Sequence, residues 1–155
     1  MLYATLKLVH LLSIVVWIGG MVFAHFFLRP AVQALEPAAR VRLMHDVLDR
    51  FLSAVLIAVV LVLASGGGMI MLAAREAAQT GGRFAMPLGW TAMAAIGLVM
   101  VGIFGHIRWV RWMRLRHAVA TENWPAGAKA LAEIRQAVVI NLALGVAVVV
   151  IALLA

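Results

Sequence analysis

The sequence predicts an all-α, polytopic membrane protein, a four-helix bundle that forms a single transmembrane domain over residues 1–155. Four apolar stretches, at about 3–28, 51–74, 88–110 and 132–154, each reach the roughly 20 residues that a helix needs to cross a hydrocarbon core. The mean hydropathy is +1.08. Charged residues make up 12% of the chain, whereas soluble domains contain about 25%. Length, apolarity and scarcity of charge therefore indicate the same class.

The first half of the chain predicts two long helices joined by a short connection. The first runs over about 3–28 and ends before Arg29-Pro30, because proline disfavours helical geometry in the residue that precedes it. Pro37 suits the first turn of the next helix. The amphipathic segment 38–50 continues into the second span, which predicts one helix over about 38–74 that extends beyond the membrane.

The second half predicts two further helices. A polar, glycine-containing turn at 79–83 separates the second span from the third, which runs over about 88–117. The segment 123–127 then interrupts the chain, and the fourth helix covers about 128–154. Small residues within the spans allow helices to pack closely. The glycines that would do so are Gly19, Gly20, Gly66, Gly67, Gly68, Gly97, Gly102 and Gly145.

Basic residues are distributed unevenly between the two ends of the predicted bundle. Ten of the 13 Lys and Arg residues lie in or beside the connections between helices one and two and between helices three and four. Since basic residues mark the cytoplasmic face, both termini are predicted to be extracytoplasmic. The net charge of +7 then indicates contact with the lipid bilayer and its anionic headgroups, and not with nucleic acid.

Histidines are the candidate functional residues, because an unpaired imidazole in hydrocarbon is costly. At 100° per residue, His10, Trp17, Met21 and His25 form one stripe on the first helix, which we expect to face the bundle interior. His10 lies about 22 Å from His25 along the helix axis. This separation predicts either two sites or one site and a structural residue.

A second group of candidate ligands comes from three helices and is predicted to share one depth near the basic side. Its members are His25, Met44, His45 and His106. Imidazole binds copper, iron and zinc, and thioether sulfur favours cuprous copper and low-spin haem iron. The group therefore suits either a haem or a transition-metal ion.

The haem interpretation assigns a role to each candidate. His106 would be one axial ligand of haem b, with His25, His45 or Met44 as the opposite ligand. His10 would be a second haem ligand or a quinone or metal contact, and Trp17 would pack on the cofactor. The propionates would pair with basic residues of the same side, which are Arg29, Arg42 and Arg108.

The metal interpretation needs fewer residues and no large void. A copper ion would follow a series of donors through the bundle. The predicted histidine ligands are His10, His25, His45 and His106, and Met21 would add a thioether.

Other chemistries lack their motifs. The chain has no cysteine, which excludes disulfides and thiolate metal sites. It contains no GxGxxG, P-loop, GxSxG or HExxH sequence. All six acidic residues lie at or outside the span ends, so no buried carboxylate is available for a proton relay. An enzymatic role would therefore depend on a redox cofactor, as in a haem-dependent oxidoreductase.

Short motifs along the chain carry a family resemblance. The first helix contains Leu6-Lys7-Leu8-Val9-His10-Leu11-Leu12 and Val16-Trp17-Ile18-Gly19-Gly20, followed by Arg29. Arg42-Leu43-Met44 precedes the second span, Gly105-His106 lies near the end of the third, and Arg135 precedes Asn141-Leu142-Ala143-Leu144-Gly145. In these motifs the chain resembles the copper-resistance protein D (CopD-like) membrane family, and it is also similar to the HemJ-type protoporphyrinogen oxidases.

The resemblance implies two different functions. HemJ-like proteins are haem b proteins that oxidise protoporphyrinogen IX, which would make His10, Met44 and His106 haem or active-site residues. CopD-like proteins are associated with copper passage across the bacterial inner membrane. The chain lacks the tyrosine-histidine ending of the HemJ first loop and the Asn-Glu-x-Pro element of its fourth helix, and these differences separate it from the oxidase itself.

We therefore expect a haem b-binding protein of the bacterial inner membrane with an electron-transfer or redox role. The alternatives are a copper-transporting or copper-handling membrane protein and a structural membrane subunit. A redox role would add a quinone or a redox partner protein to the lipid bilayer as a partner, and a homo-oligomer is compatible with each alternative.

Overall fold

The computed structural model describes residues 1–154 and confirms an all-α protein with four long helices. Helix α1 spans Leu2–Ala34, α2 spans Pro37–Gln79, α3 spans Leu88–Ala120 and α4 spans Trp124–Leu154. Each helix is long and apolar enough to cross a membrane, and the described residues contain no β-strand. Ala155, the last residue of the predicted domain, lies outside the described part of the chain.

Large apolar side chains cover the outside of the bundle. Leu12, Val15, Ile57 and Leu98 are each more than half exposed, at 56%, 64%, 64% and 62%. In water such a surface would cause association, whereas in a bilayer it contacts lipid. The chain is therefore a multi-pass membrane protein.

Contacts between helices show that successive helices run antiparallel. Near the start of α1, Leu6 faces Gly68 of α2, and nearer its middle Gly20 faces the ring of Phe51. One end of the bundle thus contains the chain start, the α2–α3 connection and the end of α4, and we call it the terminal end. The other end contains the connections at 35–36 and 121–123, and we call it the basic end because ten of the 13 basic residues lie in or near it.

Helix α1 continues past residue 28, where the sequence predicts its end. A π-helical segment, Phe23–Leu28, precedes Pro30, and a 3-10 turn, Val32–Ala34, closes the helix. The Arg29 N–H bonds to the carbonyl of Ala24, five residues back. Proline removes one backbone donor and crowds the preceding turn, and the wider π turn relieves this crowding without breaking the helix.

The α3–α4 connection is shorter than the sequence predicts. Helix α3 contains a second π segment, Ile107–Arg111, and continues to Ala120. Glu122 adopts a left-handed conformation with φ 51°. The Asn123 side-chain oxygen accepts a hydrogen bond from the Ala126 N–H at 3.1 Å, which caps α4 and allows it to begin at Trp124 instead of residue 128.

Glycines bring the helices together at only some of the predicted positions. A methyl group at Gly20 would collide with the Phe51 ring, and one at Gly145 would press on Ile18 of α1 and Met100 of α3. At Gly19, Gly67, Gly97 and Gly102 a methyl group would meet open space. The close contacts of α1 with α2 and α4 therefore depend on a few specific glycines.

Candidate functional site

His10 lies between α1 and α2 at the terminal end and is partly buried. Its Nδ1 lies 3.1 Å from the Val62 carbonyl oxygen and 3.1 Å from the Ser65 hydroxyl oxygen. A methyl group at Gly66 would lie 3.2 Å from Cε1 of the imidazole. The missing side chain at Gly66 thus gives the ring room against α2.

These two partners determine which nitrogen of His10 carries the proton. A backbone carbonyl such as that of Val62 can only accept a hydrogen bond. The Ser65 hydroxyl donates to the Leu61 carbonyl, so its oxygen also accepts from the imidazole. Nδ1 is therefore the protonated nitrogen, and in the neutral ring Nε2 keeps its lone pair. Metal-binding histidines are held in this way by a backbone or side-chain acceptor.

A cleft at the basic end brings together three of the predicted site residues, His25, Met44 and Arg29. It lies between α1, α2 and α4, has a volume of about 220 Å³, and we call it the basic cleft. The other charged or polar side chains of its lining are Gln33, Arg40 and Arg135. Its apolar lining includes Val32, Val41, Leu48, Leu131, Ile134 and Val138.

His45 and Arg108 line a different cavity, together with Asp49, Trp112 and Arg116. This second cavity has a volume of about 260 Å³. The His45 ring stacks on Trp112 with 4.7 Å between ring centres. The Nε atom of Arg108 is buried and has no hydrogen-bond partner in residues 1–154.

His45 forms a hydrogen bond with a carboxylate of its own helix, α2. The Nδ1 of His45 donates to the Asp46 carboxylate at 3.0 Å, and the Asp46 side chain is 71% exposed. His45 is therefore an interfacial residue with a solvated partner, and it is separate from the basic cleft.

His106 is exposed on α3 and lines neither cavity. The buried residues of this part of α3 are Met100, Phe104 and Ile107, which follow the helical spacing of an inward stripe. His106 lies off that stripe. The structure therefore does not bring His106 together with His25, Met44 and His45, contrary to the prediction.

The residues predicted for a haem site do not fit one. The arginines expected to pair with propionates occupy three separate places. Arg29 lines the basic cleft, and Arg108 lines the second cavity. Arg42 pairs with Glu122 at 3.2 Å and lies over the ring of Trp124. The two cavities, at about 220 and 260 Å³, are smaller than the roughly 300 Å³ at which pockets begin to enclose a drug-sized ligand.

The predicted metal ligands are likewise dispersed. Within residues 1–154, no three His, Asp or Glu side chains are grouped closely enough to hold a metal ion. His10, His25, His45 and His106 each lie in a different setting. A metal ion at any of them would need donors of another kind, and methionine sulfur is the soft donor that this cysteine-free chain offers.

Trp17 and Met21 are buried, as the stripe on the first helix predicts. Trp17 packs edge-to-face on Phe104 with 6.2 Å between ring centres, so its surroundings are core and not an open cavity. Asn141 is also buried, and its side-chain oxygen has no hydrogen-bond partner in the described residues. It is an interior polar group of α4 whose partner the bundle does not supply.

Sequence reasoning missed the residues that surround the candidates. Ser65 is a hydroxyl residue within an apolar span, and its position beside three glycines was the available signal. Arg40 and Arg135 are counted only among the basic residues of one side or in a motif, and Gln33 has no predicted role. These three side chains line one cleft because three helices pack together there. The spacing of residues along a single helix does not predict that packing.

Comparisons with known proteins identify the family. Residues 45–155 match the family model of copper resistance protein D. This segment contains Val62 and Ser65, whereas His10 and His25 precede it. Neither a search of curated proteins nor a search of solved structures gave a match. Since the matched segment is well over half of the sequence, the chain belongs to the copper resistance protein D (CopD) family.

Proposed function

We propose that the protein handles copper at the membrane and that His10 is a copper ligand at the terminal end. The observation that carries this proposal is the family match over residues 45–155. It favours the copper alternative of the sequence analysis over the haem interpretation. The geometry of His10 supports the choice of residue.

His10 presents a suitable donor atom to a copper ion. Its Nε2 is the nitrogen with the free lone pair, because Nδ1 donates to Val62 and Ser65. Imidazole nitrogen and thioether sulfur both suit copper. Met69 follows Ser65 by one helical turn on the same face of α2. A sulfur donor therefore lies on the helix face that holds the imidazole.

Electrostatics favour His10 over His25 as a cation site. The basic cleft surrounds His25 with three arginines. A guanidinium stays charged and repels a second cation most strongly where little water screens it. The partners of His10 are an uncharged carbonyl and an uncharged hydroxyl, so they carry no such penalty.

Counting bound copper tests the proposal. The full chain in detergent is loaded with Cu(I) in the presence of a reductant, freed from unbound metal and analysed for copper per chain. We expect stoichiometric copper on the wild-type protein and its loss from His10→Ala. His117→Ala removes an exposed histidine of α3 that lines neither cavity, so this matched control should retain copper.

Two results would overturn the proposal. Wild-type protein that retains no copper would exclude copper binding. Retention of copper by His10→Ala, with helical circular dichroism equal to that of the wild type, would exclude His10 as the ligand.

Haem b, a redox activity and a quinone or protein redox partner remain predictions of the sequence. The dispersal of their ligands makes them the weaker alternative. Absorption spectra of the oxidised and reduced protein test haem directly, since a bound haem produces a Soret band.

A bacterial inner-membrane location with both termini extracytoplasmic also remains a prediction. The concentration of arginine at the basic end supports it. Reporter fusions at either terminus test the orientation, and the oligomeric state is measured on the purified protein.

A further inference from the structure

The basic cleft combines a group of cations with an apolar wall, and the copper proposal uses neither. We propose that the cleft binds the headgroup phosphate of an anionic phospholipid, with the beginning of one acyl chain along the apolar wall. The argument rests on the lining of the cleft and is independent of copper binding at His10.

Three guanidinium groups border the cleft, from Arg29 on α1, Arg40 on α2 and Arg135 on α4. Arg40 donates a hydrogen bond to the Gln33 side-chain oxygen at 3.0 Å. In residues 1–154 none of the three has a carboxylate within salt-bridge distance, and no acidic residue lines the cleft. The cleft is therefore a concentrated positive charge that the described residues do not neutralise.

Two other arginines of the basic end are neutralised by carboxylates of the chain. Arg42 pairs with Glu122 at 3.2 Å, and Arg114 pairs with Glu133 at 3.3 Å. The basic cleft differs from these sites because three guanidinium groups share one lining without an acidic residue, and this lining complements an anion that comes from outside the chain.

The wall of the cleft is apolar on all three helices. Val32, Val41 and Ile134 are buried, and Leu131 and Val138 are partly buried. The volume of about 220 Å³ is smaller than the roughly 300–1,000 Å³ of pockets that enclose a whole drug-sized ligand. The cleft therefore suits a phosphate and the first carbons of a chain whose remainder lies in the bilayer.

A phospholipid accounts for both halves of the lining. A soluble anion would use the arginines but would gain nothing from the apolar wall. A metal cation held by His25 and Met44 would be repelled by the same arginines. Basic pockets between membrane helices at the headgroup level are a known means of binding acidic lipids.

Native mass spectrometry of the purified full chain tests the proposal. Protein in mild detergent is mixed with dioleoyl phosphatidylglycerol or with dioleoyl phosphatidylcholine, which has the same chains and no net charge. We expect retained phosphatidylglycerol on the wild-type protein. Each of the substitutions Arg29→Gln and Arg135→Gln should weaken that binding about fivefold.

Two control variants separate the cleft from general surface charge. Arg50→Gln removes an exposed positive charge from the same end of the bundle without touching the cleft, so it should keep lipid binding. Ala132→Phe keeps every charge but fills the cleft from an exposed lining position, so it should lose binding. Helical circular dichroism verifies that each variant folds.

Three results would overturn the proposal. Equal retention of the two lipids would exclude charge recognition, and an equal loss in Arg50→Gln would assign the effect to the surface as a whole. Displacement of phosphatidylglycerol by inorganic phosphate at the same concentration would identify the cleft as a site for a soluble anion.

Discussion

His10 and His25 lie on the same helix, yet their surroundings favour opposite kinds of ligand. His10 meets a carbonyl and a hydroxyl of α2, both uncharged. His25 shares a cleft with Arg29, Arg40 and Arg135. The first setting leaves a nitrogen lone pair available to a cation, while the second repels a cation and attracts an anion. The same side chain therefore lies in different electrostatic surroundings at the two ends of the bundle.

The residues packed around each histidine, and not the histidine itself, produce this difference. Both histidines precede the segment that matches the copper resistance protein D family. Ser65 and Arg135, which distinguish the two settings, lie within that segment. Residues of α2 and α4 therefore contribute to the difference between the surroundings of His10 and His25.

Disturbing the contact that supports both ends should have the largest effect. Gly20→Ala would place a methyl group against the Phe51 ring, which joins α1 to α2 between the two histidines. We expect a loss of about 1–3 kcal/mol in the free energy of unfolding, because the ring must move within a packed contact. Thermal unfolding in detergent measures the loss. Gly19→Ala, where a methyl group meets open space, should unfold like the wild type, and equal transitions for the two variants would contradict the packing argument.

Removing a hydrogen-bond partner of His10 should weaken copper binding at the terminal end and leave lipid binding at the basic end unchanged. Ser65→Ala deletes one acceptor of His10 and is expected to weaken copper binding about tenfold, while phosphatidylglycerol binding stays unchanged. Competition with a Cu(I) chelator measures the affinity. Ser53→Ala is the control, because Ser53 lies on the same helix and makes the same type of bond to the carbonyl four residues back, at 2.8 Å. An equal effect of both variants would show that His10 does not depend on Ser65.

Removing His25 should have the smallest effect on copper. His25→Ala leaves the arginines of the basic cleft in place, so copper binding at the terminal end should equal that of the wild type. The same copper count that tests His10→Ala measures it. A loss of copper in His25→Ala would mean that the arginines do not repel the cation, and the contrast between the two ends would no longer hold.

The fold was predictable because the bilayer restricts the possibilities to helices of a minimum length. Four apolar stretches of that length were enough to predict the four helices. The end of α1 was not predictable, because the π segment that allows the helix to continue through Pro30 has no distinct sequence signal. The start of α4 depends on a single cap, the side chain of Asn123.

The candidate site was less predictable than the fold. In residues 88–105 of α3 nearly every residue is apolar, so the inward stripe to which Met100 and Phe104 belong cannot be distinguished from the lipid-facing side by hydropathy. The inward direction predicted for His106 depended on that stripe, and His106 does not belong to it. The burial of Trp17 was predictable because a polar and aromatic stripe stands out on the first helix.

The continuity of α1 has a mechanical consequence. Because the helix does not break at Pro30, one rod of backbone carries His10 at one end and Arg29 at the other, about 28 Å apart at 1.5 Å per residue. That length is close to the thickness of a hydrocarbon core, to which membrane helices adjust by tilting. Any change of tilt that a thinner or thicker bilayer imposes on this rod alters the depth of both residues together.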